Sequence, residues 1–300
     1  MKKIILPTLI LLSLVLIFFF FFFAQGVFLI SNFSSFTDLN DFSLLLLGKP
    51  GPGYIGSENT DSIMVIYYSP KVNKVFLIPI PRDLIIKDEK GNLEKINALY
   101  EKNEINLLLK KASEYTGLKI KNYVAVDLNL VTSLIDFLGG IEVNLDEPVT
   151  DAVTLYTIPA GKQKLNGYLS ELVLRSRYHP EGDFFRIRNQ IKVISALKEK
   201  IASLNTEEKL ALVRFIENKK YYWQTNLDKN ALLNLGLKIN DLNNLQIEPI
   251  ILTTKNGFLT SGNFNIYNSY NVYGIYPKDG IDNYEKISLY IQSKIKEETK

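Results

Sequence analysis

An uncharged apolar run from Ile4 to Ala24, with apolar character continuing from Val27 to Ile30, constrains this chain more than any other feature. It exceeds the roughly 20 residues that a helix needs to cross the hydrocarbon core of a bilayer. A secretory signal core is shorter, about 7–15 residues, although Ala24-Gln25-Gly26 has the form of a cleavage site. The expectation is an uncleaved anchor. Lys2 and Lys3 precede the run, and Asp38 and Asp41 follow it. The positive-inside rule then keeps residues 1–3 in the cytoplasm, sends residues 4–30 across the membrane and leaves the rest outside. Pro7 is tolerated in such a helix. The polar stretch 31–41 reads as a linker, so the expected location is the cell membrane, single-pass, with an extracytoplasmic domain.

That location narrows the chemistry. There is normally no ATP pool outside the membrane, and phosphate there is carried on lipids, on polymers or as inorganic ions. A net charge of +3 and the lack of a long basic run argue against nucleic acid as a partner. The chain has no Cys and one His. Disulfides, thiol catalysis and multi-His metal sites are therefore excluded. A Ser-His-Asp triad would have to use His179, and no G-x-S-x-G elbow supports it.

Arginine is the unusual residue. The chain has six, and four of them, Arg175, Arg177, Arg186 and Arg188, lie in LRSRYHPEGDFFRIRNQ, Leu174 to Gln190. Nucleotide bias towards Lys would explain rarity but not clustering. Arg carries a planar fork of five donors that grips a carboxylate or phosphate through two parallel hydrogen bonds. A solvated basic face would tolerate Lys, so the segment reads as an oxyanion site, and on a membrane-tethered domain as one for a lipid phosphate or diphosphate. His179, between Pro180 and the arginines, reads as a loop residue, with a general base as the other reading.

The remaining pattern alternates strands and helices, which predicts a layered α/β domain with a mixed sheet flanked by helices. FSLLLLG (42–48) is a continuous apolar run fit for a buried strand. The next two β-rich runs are separated by a turn at Pro70–Asn73 and predict a hairpin. Helices are expected in EINLLLKKASEYTGL, NLVTSLIDFLGG, LNGYLSELVLRSR with Asn166 as cap, and QIKVISALKEKIASL, where Ile191, Ile194, Leu197 and Ile201 form a stripe. Beyond residue 205 the chain suggests a helix near DKNALLNLGLKI, a strand near LQIEPIIL and a last helix after Gly280. Tyr267, Tyr270, Tyr273 and Tyr276 read as strand packing rather than a sugar platform.

Five elements in order complete the pattern: LLLLG entering a glycine loop, TDSIMV, IPRD, LRSR closing a helix, and GDFFRIRNQ opening the next. With KINALY, LGGIEVNL and AGKQKLNG in support, this series resembles the LytR-CpsA-Psr family from about Phe42 to Leu204, and more weakly in WQTNLDKNALLNL. The resemblance implies a catalytic domain over 42–204, continued by 205–300. It implies transfer of a glycopolymer from a polyprenyl-diphosphate carrier to peptidoglycan or another envelope acceptor, with magnesium or another divalent cation. Carried over residue by residue, Arg82, Arg175, Arg177 and Arg186 clamp the diphosphate. Gln190 hydrogen-bonds nearby, Asp183 orients the arginines, and Asp61 sits by the metal. Asp83 is expected to satisfy loop amides.

Two departures from the family pattern stand out. Members carry G-x-D-x-R after the first strand, whereas this loop, GKPGPGYIG, holds neither the acid nor the arginine. Lys49 or the loop amides then bind phosphate, Glu58 replaces the acid, or the loop is a passive turn. The family also reads R-x-x-R-Q, whereas here Asn189 precedes Gln190 and Arg188 lies one place early. One residue turns a helix by about 100°, so Arg188 faces either the substrate or the solvent. Two other functions stay open beside the transferase: a non-catalytic binder of lipid phosphate, and a diphosphate hydrolase.

Overall fold

A computed structural model describes residues 41–54, 56–228, 243–266 and 270–300. The expected span 4–30, all of the linker but its last residue, and most of the helix expected at 228–239 lie outside the described residues. Among the described residues no helix is long and apolar enough to cross a membrane. Six helices are described: α1 (Ile105–Thr116), α2 (Leu128–Phe137), α3 (Gly167–Arg175), α4 (Asp183–Ala202), α5 (Thr206–Asn218) and α6 (Glu285–Glu298). The principal strands are β1 (Phe42–Lys49), β2 (Ser62–Ser69), β3 (Lys74–Pro79), β4 (Tyr123–Asp127), β5 (Ile141–Leu145), β6 (Gly161–Leu165), β7 (Leu259–Ile266) and β8 (Tyr270–Pro277). The fold is mixed α/β, and its elements divide between two compact units interleaved along the chain. The first comprises Phe42–Tyr68, Val75–Leu128 and Glu248–Lys300, and the second Ser69–Lys74 and Asn129–Ile247.

The first unit holds the central mixed sheet. β1 lies between β2, antiparallel to it, and β4, parallel to it. A strand covered on both faces and both edges has no polar side to show, which is why it reads as four consecutive leucines. Leu44, Leu45, Leu46 and Leu47 are all buried. Each contributes roughly 1.5–3 kcal/mol of transfer free energy. The predicted turn between β2 and β3 is present, with Asn73 in the left-handed region at φ 48° and its N–H on the Pro70 carbonyl. α1 ends at Gly117, φ 70°, whose carbonyl accepts from Gln292 of α6 at 3.0 Å. Tyr115 and Tyr284 meet edge-on at 5.5 Å, and buried Lys111 pairs with Asp282 at 2.8 Å. Of the tyrosine-rich stretch, Tyr267 lies outside the described residues, while Tyr270, Tyr273 and Tyr276 lie on β8, which pairs antiparallel with β7, and Tyr276 packs edge-on against Phe264 at 5.3 Å.

The second unit is built on helices. β5 alternates buried and exposed residues, and it pairs with β6. α4 lies along β5, and Lys192 donates to the Asn144 carbonyl at 2.9 Å. Gly167 opens α3 hard against α2: its N–H donates to Asp136 at 2.7 Å, and a Cβ there would stand 2.3 Å from the other oxygen of that carboxylate. α3 carries the predicted cap, Asn166 accepting from the Leu169 N–H. α5 was not expected from the pattern. Its signal is local all the same: Asn205 and Glu208 form a reciprocal capping box.

Candidate functional site

The motif residues fall into two groups, one in each unit. In the first unit they gather at the ends of neighbouring strands. The register sets Lys49 opposite Asp127 on β4, and Gly48 opposite Ser62 on β2. Asp61 therefore follows as the next position across from Lys49. Lys49 is only 6% exposed, yet it carries a charge. That is tolerable because its ammonium lies 2.7 Å from Glu58 and 3.3 Å from buried Asp127, and 5.3 Å from the centre of the Tyr100 ring. Burial pushes the Asp127 carboxyl above the usual aspartate range, against the pull of Lys49, and the charge of Glu58 pushes the same way. Gly51, φ 82°, lets the loop rest on Asp127, since a Cβ at that position would come within 3.0 Å of it. The PGPG loop is thus packed on an acid rather than carrying one.

Asp61 and Arg82 form an ion pair, and the Asp61 N–H donates to the Gly48 carbonyl at 2.8 Å. Asp83 differs from expectation. Its carboxylate receives Lys95 at 2.6 Å and lies 3.8 Å from the Arg82 Nε. A side-chain ammonium, rather than a set of loop amides, thus answers its charge.

In the second unit the arginine segment bridges two helices. Arg175 closes α3, where a cation suits the helix C-terminus, and pairs with Glu171 at 2.8 Å. Ser176 turns inward and donates to the Thr150 carbonyl at 2.6 Å, so Arg175 and Arg177 both point outward. Gly182, φ 53°, leads into α4, whose first turn holds Asp183 and Arg186 as an ion pair. Arg186 is 2% exposed. Arg188, about 200° further round the helix, is half-buried. It pairs with Glu181, lies 3.9 Å from Glu147 and covers the face of Phe185. Gln190 is buried and donates to the Leu174 carbonyl at 3.3 Å, tying α4 to α3. His179 stacks on Phe185 with centroids 4.3 Å apart, lies 3.0 Å from Glu147 and accepts the Glu181 N–H. These contacts hold the loop between the arginine motifs in shape.

A family model described as the LytR_cpsA_psr family matches residues 30–285. The chain belongs to the LytR_cpsA_psr family. Among curated relatives, it is 28% identical over 218 residues to regulatory protein MsrR of Staphylococcus aureus, a match covering 72% of this chain and 65% of MsrR. The chain thus spans slightly less than two thirds of that relative. It is 31% identical over 168 residues to the probable cell wall biosynthesis protein LcpB of Corynebacterium glutamicum, covering 56% of this chain and 40% of LcpB. Among solved structures, TagT bound to LIIa-WTA superposes with a TM-score of 0.64 at 18% identity, over 87% of this chain and 94% of that one. At that identity the likeness speaks for the fold.

Reading the LytR_cpsA_psr motifs along the chain missed Asp127. It ends an ordinary strand, YVAVD, and nothing in its local spacing marks it. The only sign is register: it lies across the sheet from the lysine of the altered loop. Glu147 and Glu181 were also missed, although the acids that balance a dense arginine segment must come from somewhere close by.

Proposed function

We propose that this chain is a membrane-anchored, extracytoplasmic phosphotransferase that moves a glycopolymer from a polyprenyl-diphosphate carrier to peptidoglycan or another envelope acceptor. Family membership supports it, as do a relative named for cell wall biosynthesis and a solved relative that holds LIIa-WTA. The observation that carries it is the arginine-only segment, with Arg186 locked beneath the start of α4 and Arg175 and Arg177 left outward. Guanidinium forks held in place suit a diphosphate better than mobile ammonium groups.

In the reaction an acceptor hydroxyl attacks the glycan-bearing phosphorus and loses its proton. The bond from that phosphorus to the bridging oxygen breaks. Polyprenyl phosphate leaves with the electron pair, and a phosphodiester joins glycan to acceptor. Charge builds on the equatorial and leaving oxygens, so catalysis is mainly positioning and electrostatic stabilisation. Arg82, Arg175, Arg177 and Arg186 are assigned to that charge. Arg188 is spoken for by Glu181, and Gln190 by the Leu174 carbonyl, so both serve the shape of the segment.

A resident divalent cation does not fit the described residues. Asp61, the acid assigned to it by the motif, carries the guanidinium of Arg82, and the neighbouring loop offers Lys49. Among the described residues no three His, Cys, Asp or Glu side chains are grouped to hold an ion. No step of the proposed transfer is assigned to a metal.

The test uses labelled lipid-linked glycan with a peptidoglycan acceptor. The Arg175→Lys/Arg177→Lys double variant is expected to lose transfer by about 10²-fold or more, with an unchanged thermal melt. Normal transfer by that variant would make the arginines surface charge. Wild-type protein that binds the lipid but neither transfers nor hydrolyses it would leave the binder.

A further inference from the structure

We infer that the tip of the small hairpin Val149–Thr150/Thr157–Ile158 docks onto the lipid bilayer beside the arginine motif. The tip, Asp151 to Tyr156, is built tightly. The Asp151 N–H donates to the Tyr156 carbonyl and the Leu155 N–H to the Asp151 carbonyl, both at 2.9 Å. The Asp151 carboxylate accepts from the Thr154 N–H and hydroxyl, each at 2.7 Å, and from the Val153 N–H at 3.2 Å. Leu155 sits in the left-handed region at φ 58°, a conformation that a branched apolar side chain seldom adopts.

This tightly bonded tip presents apolar groups to solvent. Val153 is 89% exposed and Leu155 65%, and Tyr156 is exposed beside them. Single surface hydrophobes need no explanation. A strained turn that directs three neighbouring ones outward does, since strain persists where the surroundings impose it and tends to mark functional sites. The tip is also coupled to the arginines. Ser176, between Arg175 and Arg177, donates to the Thr150 carbonyl at 2.6 Å, and exposed Tyr178 follows two residues later.

A bilayer is the occupant that this chemistry fits. Apolar side chains suit the acyl boundary, tyrosines the headgroup level, and outward arginines the anionic headgroups. The linker 31–41 can extend no more than about 40 Å, so a chain anchored through residues 4–30 keeps its described part within reach of the surface. The inference rests on that proposed anchor.

The chain has no Cys, so Val153→Cys creates a single labelling site, and Tyr156→Cys a second. The full chain is reconstituted in phosphatidylglycerol-containing vesicles at about one copy per vesicle and spin-labelled. Accessibility to oxygen, which favours lipid, is compared with accessibility to a water-soluble nickel chelate. Labels at 153 and 156 are expected to favour oxygen, while one at Glu207→Cys, on an exposed helix start, favours nickel. Release of the chain by alkaline carbonate would overturn the anchor and this inference together. Retention of the chain with water-exposed labels at both tip positions would overturn the docking alone. Shielding that arises only at high protein density would mean contact between copies and overturn it as well.

Discussion

At the level of single residues, the trio Lys49, Asp127 and Glu58 makes the sharpest predictions. Removing one partner of a buried ion pair strands the other, at a cost of about 3–5 kcal/mol. Lys49→Met should therefore destabilise by roughly 3 kcal/mol, read from denaturant unfolding. Lys49→Met/Asp127→Leu should recover most of that loss, because no charge is left buried. Glu58, half-exposed, contributes less through its own pairing. The pH dependence follows from the raised Asp127 carboxyl. A folded-state value above the unfolded one, about 3.9, means that the native state holds the proton more tightly. This contribution to stability is fully present below the unfolded value and is lost as pH rises through the folded one. Thermal midpoints across that acidic interval should show the decline in wild type and lack it in Asp127→Asn. Lys49 was visible in the sequence as an oddity of the loop. Asp127 was not, because its partner lies 78 positions away and meets it only through parallel pairing of β1 and β4.

Secondary-structure elements were legible where their signals are local. The four-leucine strand, the left-handed Asn73 turn, the glycine stop of α1 and the Asn166 cap are all contained within a few residues, and each is present. α5 has an equally local signal in Asn205 and Glu208. The caps make separable predictions. Asn166→Ala and Asn205→Ala should each cost about 1 kcal/mol. Only the first acts on the helix that ends in Arg175, so it should also lower transfer, whereas Asn205→Ala should leave transfer intact. Unfolding curves and transfer rates measured on both variants check this, and equal effects on transfer would deny α3 a special role. What stayed illegible at this scale is pairing over long sequence distance. The contact between Leu84 and Ile275 and the division into two interleaved units have no short-range sign.

For the molecule as a whole, the question is whether it turns over its ligand or only holds it. The arginine cluster was legible because its members sit within one short segment. Its balancing acids were legible only in part: Asp183 lies within the segment beside Arg186, whereas Glu147, near Arg188 and His179, comes from elsewhere in the chain. Asp61 separates the two outcomes. Its ion pair with Arg82 holds one guanidinium to a single orientation, and an orientation matters most for charge that develops during transfer. Asp61→Asn keeps the shape and removes the negative charge. Repulsion between that carboxylate and a diphosphate disappears, so binding of the lipid-linked glycan should hold steady or tighten. Arg82 loses its fixed partner, so transfer should fall by about 10²-fold. The split is measured with labelled lipid-linked glycan, as equilibrium binding and as transfer to peptidoglycan, on wild type and variant in parallel. Transfer by wild type should persist in a chelator, since Asp61 already carries the guanidinium of Arg82 and no three acids among the described residues are grouped to hold an ion. A variant that binds and transfers like wild type would reduce Asp61 to a loop acid. A wild type silenced by the chelator and restored by magnesium would mean that Asp61 exchanges Arg82 for a cation once the diphosphate arrives.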